Sequence, residues 1–283
     1  MNRVGIICYR GEKRHHLFDS YFYAVQNLYG TPKTISNFHD LDDVEMVFIG
    51  DDHYGYNKLI WKKDRFLIKA NRLGIKIVVL TNERILGSKF PWNKEDYEIL
   101  TKFEHLYHYA NDADDCEMLG VRVNRTAPSV FFKDSFINCE KKDKMVFIGK
   151  MDCPMDSYAE RKVLLNELKK KIDIDIFPPE LVHWQDYVKL ISGYRFIFSP
   201  LGNGNFFPMR FYEALACHSI PVHQVKDNTL KYYDVEAGFN DCIFFKDIEE
   251  LPEKLKNCTL EKSHNMIWME ENLRKLLMAD GLL

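Results

Sequence analysis

The chain has 283 residues, enough for two domains of roughly 100–150 residues each. Apolar residues make up 46% and the formal net charge is −3, a globular composition with no charge surplus to steer it toward nucleic acid or a membrane surface. Seven cysteines without regular spacing and without a CxxC point to free thiols in a reducing compartment, not to disulfides or structural zinc. The first sixteen residues are too briefly apolar for a signal peptide or membrane helix, so a soluble, cytoplasmic protein is expected.

In chain order, Val4–Cys8 is a short apolar run of the kind a central parallel strand shows. A basic loop follows, with Arg10, Lys13, Arg14, His15 and His16. Phe18–Leu28 then reads as a helix with Phe18, Tyr21, Phe22, Val25 and Leu28 on one face and Asp19 in its first turn. Met46–Gly50 is the next strand and ends in Asp51-Asp52-His53. A helix over Asn57–Leu73 is stopped by Gly74, and Ile75–Leu80 is a third strand that leads into Thr81–Arg84, with Glu83. Trp92–Leu100 reads as a helix, Leu106–Tyr109 as a strand and Asp112–Leu119 as a short helix. Alternating strand and helix implies a parallel, doubly wound sheet.

Between Arg125 and Lys144 the composition shifts to Pro128, Ser129, Phe131 and Phe132 and then the charged run Cys139–Lys144, which marks a domain boundary. Met145–Gly149 then repeats the string of Met46–Gly50, as a second sheet starting afresh would. A helix over Tyr158–Lys171, a strand over Ile172–Phe177, a helix over His183–Gly193 carrying Trp184, Tyr187, Leu190 and Ile191, and a strand at Phe196–Ser199 follow. After the loop Pro200–Asn205 come a helix over Met209–His218, a strand over Ile220–Gln224, a strand at Cys242–Phe245 and a helix over Ile248–Lys256. Ser263 is expected to cap a C-terminal helix whose apolar face holds Ile267, Trp268, Leu273, Leu276 and Leu277. The expected division is residues 1–135, residues 136–265, and a helix over 266–283 that packs back on the first domain.

The most informative stretch is Phe196–Gln224, which reads as strand, glycine loop, helix start and strand. Ligands of open α/β sheets bind beyond the carboxyl ends of the strands. Ser199 ends the strand, and Gly202 and Gly204, beside Asn203 and Asn205, let backbone approach a ligand closely. Pro208 suits the helix start, where free N–H groups attract phosphate. Arg210 offers forked donors to a diphosphate, and Glu213, three residues on, is suited to accept from ribose hydroxyls. A plain turn and an ordinary surface ion pair are the competing readings of the same residues.

The strings Ser199–Asn205, Arg210–Leu215 and Ser219–Val222 resemble the exostosin-like glycosyltransferases, which show Ser-Pro-x-Gly-x-Gly, Arg-x-x-Glu-Ala-Leu and Gly-x-Ile-Pro-Val. The resemblance implies two Rossmann-like doubly wound domains facing across a cleft, the architecture called GT-B. It implies a nucleotide-sugar donor, a UDP-sugar with UDP-xylose as one candidate, and a glycan hydroxyl as acceptor. Arg210 would lie near the diphosphate and Glu213 near the nucleoside. Transfer would invert the sugar's configuration and need no obligatory metal. An inverting transfer also needs a proton acceptor, and Asp19, Asp51 and His53, ahead of Glu83, stand where carboxyl-edge loops of the first domain would present one.

Three features depart from that family: Ser219 stands where glycine is usual, no Golgi anchor is expected here although family members usually have one, and the 283 residues are fewer than in most members. A compact bacterial or viral member is the expectation, placed in host cytoplasm if viral. The alternatives are a GDP-fucose-dependent fucosyltransferase and a catalytically silent nucleotide- or sugar-binding module. The chain has no GxxxxGK[ST] and no glycine fingerprint after its first strand, which disfavours P-loop enzymes and dehydrogenases.

Overall fold

The computed structural model describes residues 3–7, 16–50, 61–81, 94–110, 118, 122–123, 139–151, 156–178, 184–201, 207–225, 240–264 and 269–283. The chain divides into two units, Met1–Ser129 with Trp268–Leu283 and Val130–Ile267.

The first unit runs β1 (Val4–Ile7), α1 (His16–Tyr29), β2 (Lys33–Thr34), β3 (Met46–Gly50), α2 (Asp64–Arg72), β4 (Lys76–Thr81), α3 (Lys94–Leu100), β5 (Leu106–Ala110) and β6 (Arg122–Val123). The strands are all parallel, in the order β2-β1-β3-β4-β5-β6. Every residue of β1 and β3 is buried, as expected of strands covered on both faces. The period-2 alternation sorts their side chains into two cores. Val47, Ile49, Ile77 and Val79 meet Trp61 and Phe66 on one face. Ile6, Phe48, Val78 and Leu80 meet Tyr21 and Val25 of α1 on the other, together with Leu273 and Leu277 of the C-terminal helix, Met269–Ala279. Tyr109 Oη donates to Asp280 Oδ2 at 2.5 Å and Tyr29 Oη to Leu282 O at 2.9 Å, fastening the end of the chain to this unit.

The second unit runs β7 (Lys142–Ile148), α4 (Asp156–Lys171), β8 (Ile174–Phe177), α5 (Trp184–Ser192), β9 (Tyr194–Ser199), α6 (Met209–Ala216), β10 (Ile220–Gln224), β11 (Ile243–Phe245) and α7 (Leu251–Lys256). Its parallel sheet has the order β11-β10-β9-β7-β8. Phe147, Phe196, Phe198 and Phe245 fill one face, and Val146, Ile148, Ile197 and Ala214 the other. In each sheet the strand order reverses next to the first strand, between β1 and β3 and between β7 and β9. Crevices at such reversal points are where doubly wound sheets bind ligands.

Some element ends differ from expectation for identifiable reasons. Strand β8 starts at Ile174 because Ile172 N–H still bonds Leu168 O and completes α4. Helix α6 stops at Ala216 because His218 turns into the left-handed region, with φ 56°. The left-handed residue is therefore His218, one position ahead of Ser219. Ser219 is fully buried, and its Oγ donates to Tyr194 O at 2.7 Å and accepts from Lys141 Nζ at 3.0 Å. The same ammonium bonds Ser192 O and Cys217 O, so a polar pin closes the amino edge of the sheet at the site of the glycine-to-serine departure. Ser263 N–H donates to His218 O at 3.2 Å, tying this residue to the turn before β10; the residues just after it, 265–268, where its expected cap would act, lie outside the described residues. Apart from Met118, the helix expected over Asp112–Leu119 lies outside the described residues. Among the described residues no helix is long and apolar enough to cross a membrane.

Candidate functional site

The carboxyl edge of the second sheet gathers the ends of β7, β9 and β10 and the start of α6. An aromatic sandwich sets the position of α6. Phe207 and Phe211 stack at 4.3 Å with an interplanar angle of 11°, and His223 of β10 meets both edge-on, at 5.1 and 5.6 Å. His223 is fully buried, and burial pulls its pKa down to about 4, so the ring is neutral. A neutral ring facing a carbonyl carries its proton on Nδ1, which donates to Ser199 O at 2.5 Å. Pro208 takes the N-cap position with φ −70°, and Phe211 N–H bonds its carbonyl at 2.9 Å.

This frame delivers Arg210 to the reversal point between β7 and β9. Its guanidinium carbon lies 4.8 Å from the centroid of the Phe147 ring, a cation–π contact with β7. A β-carbon on Gly149, just past the end of β7, would lie 2.8 Å from Arg210 Nη2. Glycine there is what leaves room for the guanidinium. Among the described residues Arg210 makes no side-chain hydrogen bond or ion pair, and its Nε is buried without a partner. A guanidinium carries five donors, and an unsatisfied buried donor costs about 1–3 kcal/mol. Such an arrangement is suited to an anion.

Glu213 lies on the same helix and is only 5% exposed. Tyr187 of α5 donates its hydroxyl hydrogen to Glu213 Oε2. Among the described residues Oε1 receives no hydrogen bond. Burial pushes the Glu213 carboxyl up, while the charge of Arg210 and the Tyr187 hydrogen bond pull it down. Burial, together with the neighbouring Glu213 charge, holds the Tyr187 phenol well above its ordinary value, so it remains a donor.

Of the residues singled out from sequence, the structure brings Ser199, Arg210 and Glu213 to this edge. Ser199 is fully buried at the end of β9; its carbonyl serves His223, and among the described residues its Oγ has no hydrogen-bond partner. Gly202, Asn203, Gly204 and Asn205 lie outside the described residues. In the first unit Asp19 falls in the first turn of α1, which is described for its backbone only. Asp51, His53 and Glu83 lie outside the described residues; the first two directly follow Gly50, the last residue of β3. Sequence reasoning missed Phe147, Gly149 and Tyr187. It also missed Arg161 of α4, whose Nη1 and Nη2 reach Lys150 O and Leu201 O, both at 3.3 Å, and so link the chain leaving β7 to the chain leaving β9. Among the described residues no cluster of three or more His, Cys, Asp and Glu is placed to hold a metal ion.

The two Rossmann-like α/β units have the fold class of the GT-B glycosyltransferases. Among solved structures, the chain is similar to AviGT4, a glycosyltransferase involved in avilamycin A biosynthesis, with a TM-score of 0.51. The two share 11% sequence identity, over 97% of this chain and 91% of that one, so the likeness is one of fold. No protein-family model and no curated protein sequence matches the chain.

Proposed function

We propose that the protein is a glycosyltransferase that moves a sugar from a nucleotide-diphosphate donor to a glycan hydroxyl. The observation that carries this reading is Arg210. A guanidinium whose donors are unused among the described residues is held over Phe147 in the first turn of a helix, at a strand-order reversal. In this reading the diphosphate takes those donors, and the start of α6 adds its partial positive charge. Glu213 Oε1 accepts from the ribose hydroxyls. The loop of Gly202, Asn203, Gly204 and Asn205 follows Ser199 toward the same ligand.

The proposed reaction is an inverting transfer. The acceptor oxygen attacks the anomeric carbon as the bond from that carbon to the phosphate oxygen breaks, which inverts the configuration. The acceptor's proton passes to a base, for which Asp19, Asp51 and His53 are the candidates. The nucleoside diphosphate leaves with its charge met by Arg210, without an obligatory metal. A UDP-sugar is the favoured donor. The motif and length resemble those of the virus-encoded xylosyltransferase of chlorella viruses, which makes UDP-xylose the first sugar to try.

Glu213→Gln tests the nucleoside half of this reading. An amide accepts through one oxygen only, so UDP affinity should fall about tenfold while inorganic diphosphate binds nearly as before. Calorimetric titration of both ligands measures this. Equal losses would mean that Glu213 only supports the helix or Arg210. Thermal shifts larger with GDP than with UDP would favour a fucosyltransferase. A wild-type protein that binds nucleotide but neither transfers nor hydrolyses any donor would be a silent module.

A further inference from the structure

We propose that Tyr187 is a positioning residue for the donor's nucleoside: its hydroxyl holds Glu213 through Oε2 and leaves Oε1 for the ribose. The inference rests on the nucleotide-sugar reading above and adds to it a residue from a different element. Three observations carry it. Tyr187 lies on α5, before β9, and reaches across to α6 to donate to Glu213 Oε2. Glu213 is 5% exposed, so its carboxylate cannot rely on water for solvation. Its other oxygen receives no hydrogen bond among the described residues.

A carboxylate has about four acceptor positions, and one bond from a fixed donor both orients it and favours its charged form. Two vicinal hydroxyls donate well only to the charged form. Tyr187 therefore matters most where protonation of Glu213 would compete. Among the described residues, the charged and titratable groups around that carboxylate are Arg210 and Cys217 at the two ends of α6, Tyr187 on α5, and His223 on β10 beyond Phe211. Lys141 acts one step further out, through Cys217. His223 is neutral above about pH 4, and the Tyr187 and Cys217 groups are both raised by burial. Among the described residues Arg210 and Tyr187 are thus the groups that pull the Glu213 carboxyl down, against the burial that raises it.

The sign follows directly. Removing the Tyr187 hydroxyl removes a contribution that lowers the Glu213 pKa, so the carboxyl should protonate at higher pH. UDP affinity needs the carboxylate, so it is present above that pKa and lost as pH falls through it.

Tyr187→Phe keeps the ring and deletes only the hydroxyl, and two measurements on the full chain decide the matter. Without ligand, carbon-13 NMR of the Glu213 carboxyl should show its midpoint moved up by about one pH unit, the equivalent of a tenfold hydrogen bond. With UDP, the ratio of variant to wild-type affinity cancels the phosphate's own titration near pH 6. That ratio should fall about tenfold at the acid end and return to one at the alkaline end, with inorganic diphosphate unaffected throughout. An unmoved midpoint overturns the proposal, as does a UDP loss that is the same at every pH, the signature of a merely structural tyrosine. A midpoint that moves in a protein that binds no UDP would overturn the nucleotide reading and leave the Tyr187–Glu213 coupling in place.

Discussion

Arg210→Ala should weaken UDP binding by about 1.5–3 kcal/mol, the range for hydrogen bonds to a charged group, or roughly ten- to a hundredfold in affinity. The guanidinium rests on Phe147 and makes no hydrogen bond or ion pair among the described residues, so its donors are there for a ligand. For the same reason truncation breaks no hydrogen bond, and the variant should keep close to wild-type thermal stability. Arg210→Lys should recover only part of the affinity, because an ammonium reproduces neither the planar fork nor the stacking on Phe147. Calorimetric titration of UDP reads both variants. Unchanged affinity in folded Arg210→Ala protein would remove this residue from the site.

The larger effect is expected at the proton acceptor. One of Asp19→Asn, Asp51→Asn and His53→Ala should lose sugar transfer by on the order of 10²-fold or more while binding UDP normally. The first sheet's order supports this short list. Strands β1 and β3 are neighbours at its reversal point, α1 follows the first of them, and the chain leaves the second at Gly50. Asp19 falls in the first turn of α1, and Asp51 and His53 come immediately after β3 in the sequence. A histidine beside an acid is readily tuned toward neutral pH, which keeps His53 in the comparison. Wild-type rates in all three variants would mean that the base lies elsewhere or that the donor's own phosphate takes the proton.

The parallel sheets were legible in the sequence because their strands are buried on both faces. Met46–Gly50 and Val4–Ile7 appear as unbroken apolar runs for that reason. Element ends were less legible where a single backbone bond or dihedral decides them, as at Ile172 and His218. Arg210 and Glu213 stood out because they share a short helix that follows a glycine loop and a proline, all within one stretch of chain. Their supports did not, because the contacts are distant in sequence. Tyr187 is 26 residues from Glu213 and sits at helical spacing among Trp184, Leu190 and Ile191, so its apolar pattern conceals its hydroxyl's partner. Phe147 and Gly149 read as ordinary strand and turn, and only the fold shows that one carries the Arg210 guanidinium and the other makes room for it. Ser219 read as a missing glycine, yet the left-handed residue is its neighbour and its hydroxyl serves Lys141.

In the proposed function the carboxyl edge of the second sheet binds a nucleoside diphosphate through Arg210 and Glu213. A crystal structure of the full chain with UDP tests it most directly. Diphosphate oxygens are expected within hydrogen-bond distance of the Arg210 guanidinium, over Phe147 and beside Gly149, with a ribose hydroxyl donating to Glu213 Oε1. UDP bound elsewhere on the molecule, with the Arg210 donors still unused, would contradict it.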